Sequence, residues 1–155
     1  PFDAAIHFGK EDWPGVRYLS LMPETVVPVC APELLTEPLD DPSQILRFPL
    51  LHLDTRPRGW SRWLSALGVT QEPPAGMMFD QFSTMAQAAV HGLGVALLPT
   101  FSAEPYLRDA QLVLASTQTT QSIGNYYLVW PEDRAETAAL QSFMTWLDGQ
   151  TGQVL

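Results

Sequence analysis

Short strand-like segments alternate with helix-like segments along the chain, and this alternation is the feature that most limits its possible folds. Each strand-like segment is apolar and bounded by Gly, Pro, Asp or Asn, or by a polar run. These segments cover residues 2–8, 16–21, 25–30, 49–53, 94–98, 111–115 and 125–130. Alternation of this kind favours an α/β domain with a largely parallel sheet over a sandwich or a helix bundle. With 155 residues, the chain is long enough to bury a substantial core.

Two helices are predicted in the middle of the chain. The first, over 59–68, carries four apolar residues on one face and stops at Gly68. Those four residues are Trp60, Trp63, Leu64 and Leu67. The second, over 82–91, is built of small and apolar residues, so we expect it to pack against a sheet. Gly92 and Gly94 then predict a tight turn from this helix into the next strand.

A third helix is predicted near the end of the chain. Asp133 followed by Glu136 resembles a capping box, and Gly149 is expected to end the helix. Its apolar stripe consists of Ala139, Phe143, Trp146 and Leu147. The polar stretch 116–124 lacks periodicity, so we expect a surface connection there that can act as a hinge.

Charge and cysteine content exclude several classes of protein. Eight Lys and Arg against 17 Asp and Glu give a formal charge of −9, which argues against direct contact with nucleic acid. The single Cys30 cannot close an intrachain disulfide or supply a cysteine-rich zinc site, and a reducing cytoplasm fits this usage. Since it lies in an apolar run, we expect a buried, unreactive thiol. No segment has the length and apolar character of a membrane span.

Catalytic and cofactor motifs are absent from the sequence. There is no Gly-x-Ser-x-Gly elbow, and the three histidines lack metal-site spacing. Gly92-Leu93-Gly94 is not a dinucleotide fingerprint, because position 97 is Leu. We therefore expect a protein that is not an enzyme and that uses no cofactor or metal.

The start of the helix at residue 82 is the most suggestive polar feature. Ser83 and Thr84 lie where free backbone N–H groups attract the carboxylate or phosphate of a small ligand. An alternative is that Thr84 and Gln87 form a capping box without any ligand. Aromatic residues able to line the same site are Phe79, Phe82, Tyr126, Tyr127 and Trp130.

Taken in order, the segments resemble the effector-binding domain of LysR-type transcriptional regulators over nearly the whole chain. The segments that carry the resemblance are 2–9, 13–15, 29–35, 49–52, 59–64, 82–89, 92–99 and 126–129. The similarity is strongest to the branch that includes regulators of glycine cleavage and of β-lactamase induction. The order and spacing of the segments carry the resemblance, since no single segment is specific.

The resemblance implies a type II periplasmic-binding-protein-like α/β fold with two subdomains joined by crossover strands. Residues 1–25 and 122–155 would form an incomplete first subdomain, and residues 26–121 the second. A small effector would bind in the cleft between the subdomains. The residues of this sequence that match the family's effector-binding positions are His7, Phe8, Phe82, Ser83, Thr84 and Tyr126. The opening part of the first subdomain and a DNA-binding helix-turn-helix would precede residue 1.

The resemblance also implies a cytoplasmic regulator that forms a homodimer or homotetramer and touches DNA only through the preceding helix-turn-helix. Effector binding would shift the population between arrangements of the assembly. An extracytoplasmic solute-binding protein of a transporter is the alternative, because it shares the fold. An enzyme such as a dehydratase on the same scaffold is a more remote alternative.

Overall fold

The structure, a computed structural model, describes residues 4–133 and 137–154 and has the alternating α/β architecture that the sequence predicts. Its strands are β1 Ala5–Gly9, β2 Val16–Cys30, β3 His52–Leu53, β4 Met78–Phe79, β5 Ala96–Pro99, β6 Val113–Leu114 and β7 Thr120–Pro131. Its α-helices are α1 Gly59–Ala66, α2 Phe82–Val90, α3 Thr100–Arg108 and α4 Ala138–Val154, and Pro42–Arg47 form a 3-10 helix. The chain divides into unit 1 (Pro1–Glu24 and Ile123–Leu155) and unit 2 (Thr25–Ser122). Strands β2 and β7 each contribute residues to both units.

Several predicted element boundaries are corrected by the structure. The segments 16–21 and 25–30 are one continuous strand, since Pro23 is compatible with extended backbone. Strand β7 begins at Thr120, so the last five residues of the predicted 116–124 connection are in a strand. Pairing with a neighbouring strand supplies the hydrogen bonds there, which local composition does not reveal. Helix α3 was not predicted, because Pro105 interrupts its pattern.

The sheets are mixed rather than largely parallel. Strands β3 and β4 are parallel, and so is the bridge between Leu50 and Val95. In contrast, β1 pairs antiparallel with β7, and β2 pairs antiparallel with β5 and β6. Parallel pairing is therefore found in unit 2, where helices connect the strands.

The strands of unit 2 are covered by helices on both faces. Because successive side chains of a strand point to opposite faces, Val27 and Leu98 pack on one side, and Val26 and Leu97 on the other. The first side is covered by α2 and α3, and the second by α1 and the 3-10 helix. The predicted face of α1 is confirmed, with Trp60, Trp63 and Leu64 buried. The Trp60 indole N–H donates to the Leu51 carbonyl at 2.9 Å.

Glycines at the predicted turn after α2 serve two different purposes. Gly92 has a φ of +81°, which L side chains rarely adopt. Gly94 is required by a close approach, since a Cβ there would lie 2.5 Å from the Pro49 carbonyl oxygen. That carbonyl accepts a hydrogen bond from the Val95 N–H at 2.9 Å. The glycine therefore lets the segment before β3 pair with the strand that follows α2.

Helix α4 differs from its predicted extent. It begins at Ala138, and the Thr137 hydroxyl oxygen accepts a hydrogen bond from the Leu140 N–H at 3.1 Å. Asp133 lies in a turn before the helix, and Glu136 lies outside the described residues. The helix continues through Gly149, because a glycine inside a helix costs only about 1 kcal/mol. Of its predicted stripe, Phe143 and Trp146 are exposed.

The thiol of Cys30 is fully buried in unit 2, and burial raises its pKa from 9.0 to about 11. A shift from 9.0 to about 11 lowers the thiolate fraction at pH 8 about 100-fold. We expect iodoacetamide to leave Cys30 unmodified in the folded protein and to label it fully in denaturant, measured by intact mass. Labelling of the native protein at the rate of a free peptide thiol would contradict this burial.

Candidate functional site

In unit 2, the carboxyl ends of the parallel strands lie at one edge of the sheet. Because β3 and β4 are parallel, Asp54 and Asp80 follow them at the same edge. The parallel bridge between Leu50 and Val95 gives β5 the same direction, so Thr100 also lies there. Helices α2 and α3 begin at this edge. In open α/β sheets this is the position at which ligands bind.

Helix α2 begins without a side-chain cap. Its N-cap residue is Gln81, whose side chain makes no capping hydrogen bond. The Thr84 hydroxyl donates to the Gln81 carbonyl at 3.0 Å, and the Ser83 hydroxyl is 3.4 Å from the Gln81 Oε1. Since Thr84 lies inside the helix, the alternative of a capping box with Gln87 is wrong. Ser83 and Thr84 are exposed, and the first N–H groups of a helix have no partner within it.

Phe82 contacts the hydrophobic core of unit 2 on one side and the Arg56 guanidinium on the other. Its ring is half-buried against the cluster beneath α2, and the Arg56 guanidinium carbon lies 5.5 Å from the ring centroid. Arg56 was not identified from the sequence, because the loop 54–58 has no motif that distinguishes it from a solvated basic loop. The predicted residues Phe82, Ser83 and Thr84 thus share the first turn of α2, and Phe82 contacts Arg56.

In unit 1, two predicted residues lie side by side on paired strands. The antiparallel register places Phe8 opposite Tyr126, and their ring centroids are 5.1 Å apart at 57°. The Tyr126 hydroxyl donates to a carboxylate oxygen of Glu24. Glu24 is 0 % exposed, although a carboxylate is costly to bury without hydrogen-bond donors. The bond therefore fixes the position of the Tyr126 hydroxyl.

His7 lies on the opposite face of β1 from Phe8, since side chains alternate along a strand. Its ring is 4.3 Å from that of Trp13 and 6.3 Å from that of Tyr127. Its Nε2 lies 2.9 Å from the Lys10 carbonyl and 3.3 Å from a carboxylate oxygen of Asp12. The structure thus brings Phe8 and Tyr126 together but places His7 in a separate aromatic cluster with the 10–13 loop.

Glu24 is the main residue of this region that the sequence did not reveal. An acidic residue ahead of an apolar run reads as a solvated strand end, and its partner Tyr126 is 102 residues away. A buried carboxylate with a distant hydroxyl partner leaves no local signature.

A double-mutant cycle tests the bond between Glu24 and Tyr126. Glu24→Leu leaves the Tyr126 hydroxyl without its acceptor, so we expect a loss of about 1–3 kcal/mol in the free energy of unfolding. In the double variant with Tyr126→Phe the loss should be smaller than the sum of the two single losses by about 1 kcal/mol or more. Urea unfolding of the four proteins measures this coupling, and strictly additive losses would contradict the bond.

The described residues carry neither a metal-binding cluster nor a membrane-spanning helix. Residues 4–133 and 137–154 contain no group of three or more His, Cys, Asp or Glu side chains arranged to hold a metal ion. In the same residues, no helix has the length and apolar character needed to cross a membrane.

Curated relatives of the chain are transcriptional activators. The HTH-type transcriptional activator AmpR of Rhodobacter capsulatus is 38% identical over 151 residues, which are 97% of this chain and 51% of that protein. The glycine cleavage system transcriptional activator of Escherichia coli K12 is 34% identical over 148 residues, which are 94% of this chain and 48% of that protein. The chain thus spans about half the length of the curated relatives it matches.

Solved structures similar to this one are effector domains. That of AmpR from Pseudomonas aeruginosa has a TM-score of 0.87 at 29% identity, over 97% of this chain and 72% of that one. The AmpR effector-binding domain of Citrobacter freundii has a TM-score of 0.84 at 30% identity, over 97% of this chain and 75% of that one. The latter domain has also been solved with three substitutions, Thr to Val, Ser to Ala and Tyr to Phe. A family model described as the LysR substrate binding domain matches residues 1–151. The chain belongs to the LysR substrate-binding domain family.

Proposed function

We propose that the chain is the effector-sensing part of a LysR-type transcriptional regulator. The observation that carries this proposal is the family match over residues 1–151, together with relatives that are transcriptional activators. Relatives that regulate transcription favour a regulator over a solute-binding protein or a dehydratase. In this proposal the protein is cytoplasmic, and it binds and releases its effector without chemical change.

DNA contact is assigned to a helix-turn-helix that precedes residue 1 in the full-length protein. The net charge of −9 supports this division, because affinity for a phosphate backbone comes mainly from Lys and Arg. A homodimer or homotetramer would align two or more such modules with a symmetric DNA site. Units 1 and 2 would be the two subdomains. The subdomain boundaries that the resemblance implies lie one residue from the boundaries of the units.

The proposed effector-binding residues come separately from the two units. Unit 2 contributes Phe82, Ser83 and Thr84 at the start of α2, where N–H groups and the helix dipole favour a carboxylate or phosphate oxygen. Unit 1 contributes Tyr126, whose hydroxyl is positioned by Glu24, with Phe8 packed against its ring.

His7 is proposed to act indirectly on this site. Its contacts with Lys10, Asp12 and Trp13 hold the 10–13 loop, and it precedes Phe8 in β1. Replacing it would thus disturb Phe8 through the strand.

Chromatin immunoprecipitation of the full-length protein tests the proposed function. We expect discrete chromosomal sites, which disappear when the portion before residue 1 is deleted. Transcription next to those sites should change in a strain that lacks the protein. A cleaved signal peptide and recovery of the protein outside the cytoplasm would overturn the proposal and support a solute-binding protein instead.

A further inference from the structure

The segment that follows β3 reverses the charge of the chain. Residues 54–62 contain three Arg and one Asp, whereas the rest of the chain has five Lys and Arg against 16 Asp and Glu. The three arginines are Arg56, Arg58 and Arg62. The segment begins at the edge of the sheet where α2 also begins. In a chain with a net charge of −9, this local excess of positive charge favours a negatively charged ligand at that edge.

Arg56 differs from its neighbour Arg58 in burial and in contacts. Arg56 is half-buried, whereas Arg58 is exposed. The guanidinium carbon of Arg56 lies 5.5 Å from the ring centroid of Phe82, the first residue of α2. The Arg56 N–H donates to the Leu53 carbonyl at 3.0 Å, and the Arg56 carbonyl accepts from the Gly59 N–H at 3.0 Å. The backbone is thus fixed on both sides, and the aromatic contact holds the guanidinium beside the first turn of α2.

The chemistry of a guanidinium suits one class of ligand group. Its planar fork binds carboxylate and phosphate oxygens through two parallel N–H donors, a geometry that a lysine does not provide. The Arg56 Nη1 donates to the Thr55 carbonyl at 3.3 Å. Because the fork has five N–H donors in all, it can bind further acceptors in addition to this one.

We propose that Arg56 selects the effector by its charge, with the guanidinium binding a carboxylate or phosphate group of the ligand. The inference rests on the proposed function and adds to its site a residue that the resemblance does not name. Phe82 is then a positioning residue, because its ring holds the guanidinium at the start of α2. Neutral molecules of the same size would be discriminated against, since they offer no charge that matches the guanidinium.

Binding of two simple anions to the full-length protein tests this inference. Sodium phosphate and sodium acetate are titrated separately, with acetamide as the neutral analogue of acetate and with NaCl holding the ionic strength constant. The rise in melting temperature with concentration measures the affinity, because a ligand that binds the folded state stabilises it. We expect stabilisation by at least one anion and none by acetamide. Stabilisation by phosphate alone would identify the bound group as a phosphate, and stabilisation by acetate would identify it as a carboxylate.

Substitutions in the full-length protein locate the bound anion. Arg56→Gln should weaken its binding about 10-fold or more, because a hydrogen bond to a charged group is lost. Arg56→Lys keeps the charge without the fork, so its affinity should be intermediate. Phe82→Leu removes the aromatic contact and should weaken binding about 2- to 5-fold. The matched control is Arg58→Gln, which removes the same charge at an exposed position of the same loop and should leave binding unchanged. Melting without anion establishes that each variant folds.

Three results would overturn the assignment of Arg56. They are no stabilisation of the unsubstituted protein by either anion, equal stabilisation by acetamide, and equal weakening by Arg56→Gln and Arg58→Gln, which would show a general effect of charge. Chromosomal binding of the same proteins is measured separately by immunoprecipitation. Absence of discrete sites for the unsubstituted protein would overturn the proposed function, whereas a wrong assignment of Arg56 would leave those sites in place.

Discussion

Removing the hydroxyl groups of Ser83 and Tyr126 together is expected to abolish the response of the full-length regulator to its effector. Both hydroxyls are among the proposed effector-binding groups, one at the start of α2 in unit 2 and one beside Phe8 in unit 1. Each hydrogen bond to a charged ligand group contributes about 1.5–3 kcal/mol, so the loss of both weakens binding about 100-fold or more. Promoter binding should persist, because the proposed DNA contacts lie outside this chain.

A reporter fused to the target promoter measures this response for Ser83→Ala with Tyr126→Phe. The matched control is Ser65→Ala with Tyr106→Phe, which removes the same two atoms from exposed and half-buried positions elsewhere in unit 2. Circular dichroism establishes that both variants fold. Normal induction of the reporter by a folded double variant would show that the effector binds elsewhere.

Replacing Trp63 by alanine is expected to cause the largest loss of stability in unit 2. Its side chain is 0 % exposed, its ring meets that of Trp60 edge to face at 5.7 Å, and its N–H donates to the Gln118 carbonyl at 3.3 Å. Truncation of a buried tryptophan leaves a cavity and costs about 3–5 kcal/mol. A loss of this size is a large fraction of the stability of a typical domain.

Denaturant unfolding monitored by circular dichroism measures the effect of Trp63→Ala. Leu93→Ala is the control, since Leu93 is 48% exposed and such surface changes alter stability by about 0.5 kcal/mol or less. Equal losses in the two variants would mean that Trp63 is not part of the core.

Local periodicity predicts most elements and the limits of two helices, but not the limits of every element. The ends of α1 and α2 lie within two residues of their predicted positions. The apolar residues on each helix are spaced by the helical repeat, which makes the helix visible in the sequence. Three features are not predicted by local periodicity: the single strand through Pro23, the early start of β7 and helix α3. In each, tertiary contacts override a Pro or a polar stretch that reads locally as a break.

The candidate site was only partly accessible from the sequence. Ser83 and Thr84 can be proposed from the sequence alone, because a helix that follows a strand has a local signature. The pairing of Phe8 with Tyr126 depends on the register of β1 and β7, and the partnership of Arg56 with Phe82 depends on loop geometry. His7 and Phe8 are adjacent in sequence, yet the alternation of the strand places them on opposite faces.

By itself, the sequence determined the α/β class, the acidic character that argues against direct DNA contact, and the resemblance to LysR-type effector domains. These properties depend on composition, local spacing and segment order, all of which are read along the chain. Only the tertiary structure decided that a buried Glu24 positions the Tyr126 hydroxyl and that Arg56 lies over the ring of Phe82. Both depend on which distant residues meet, and that is a property of packing rather than of any local pattern.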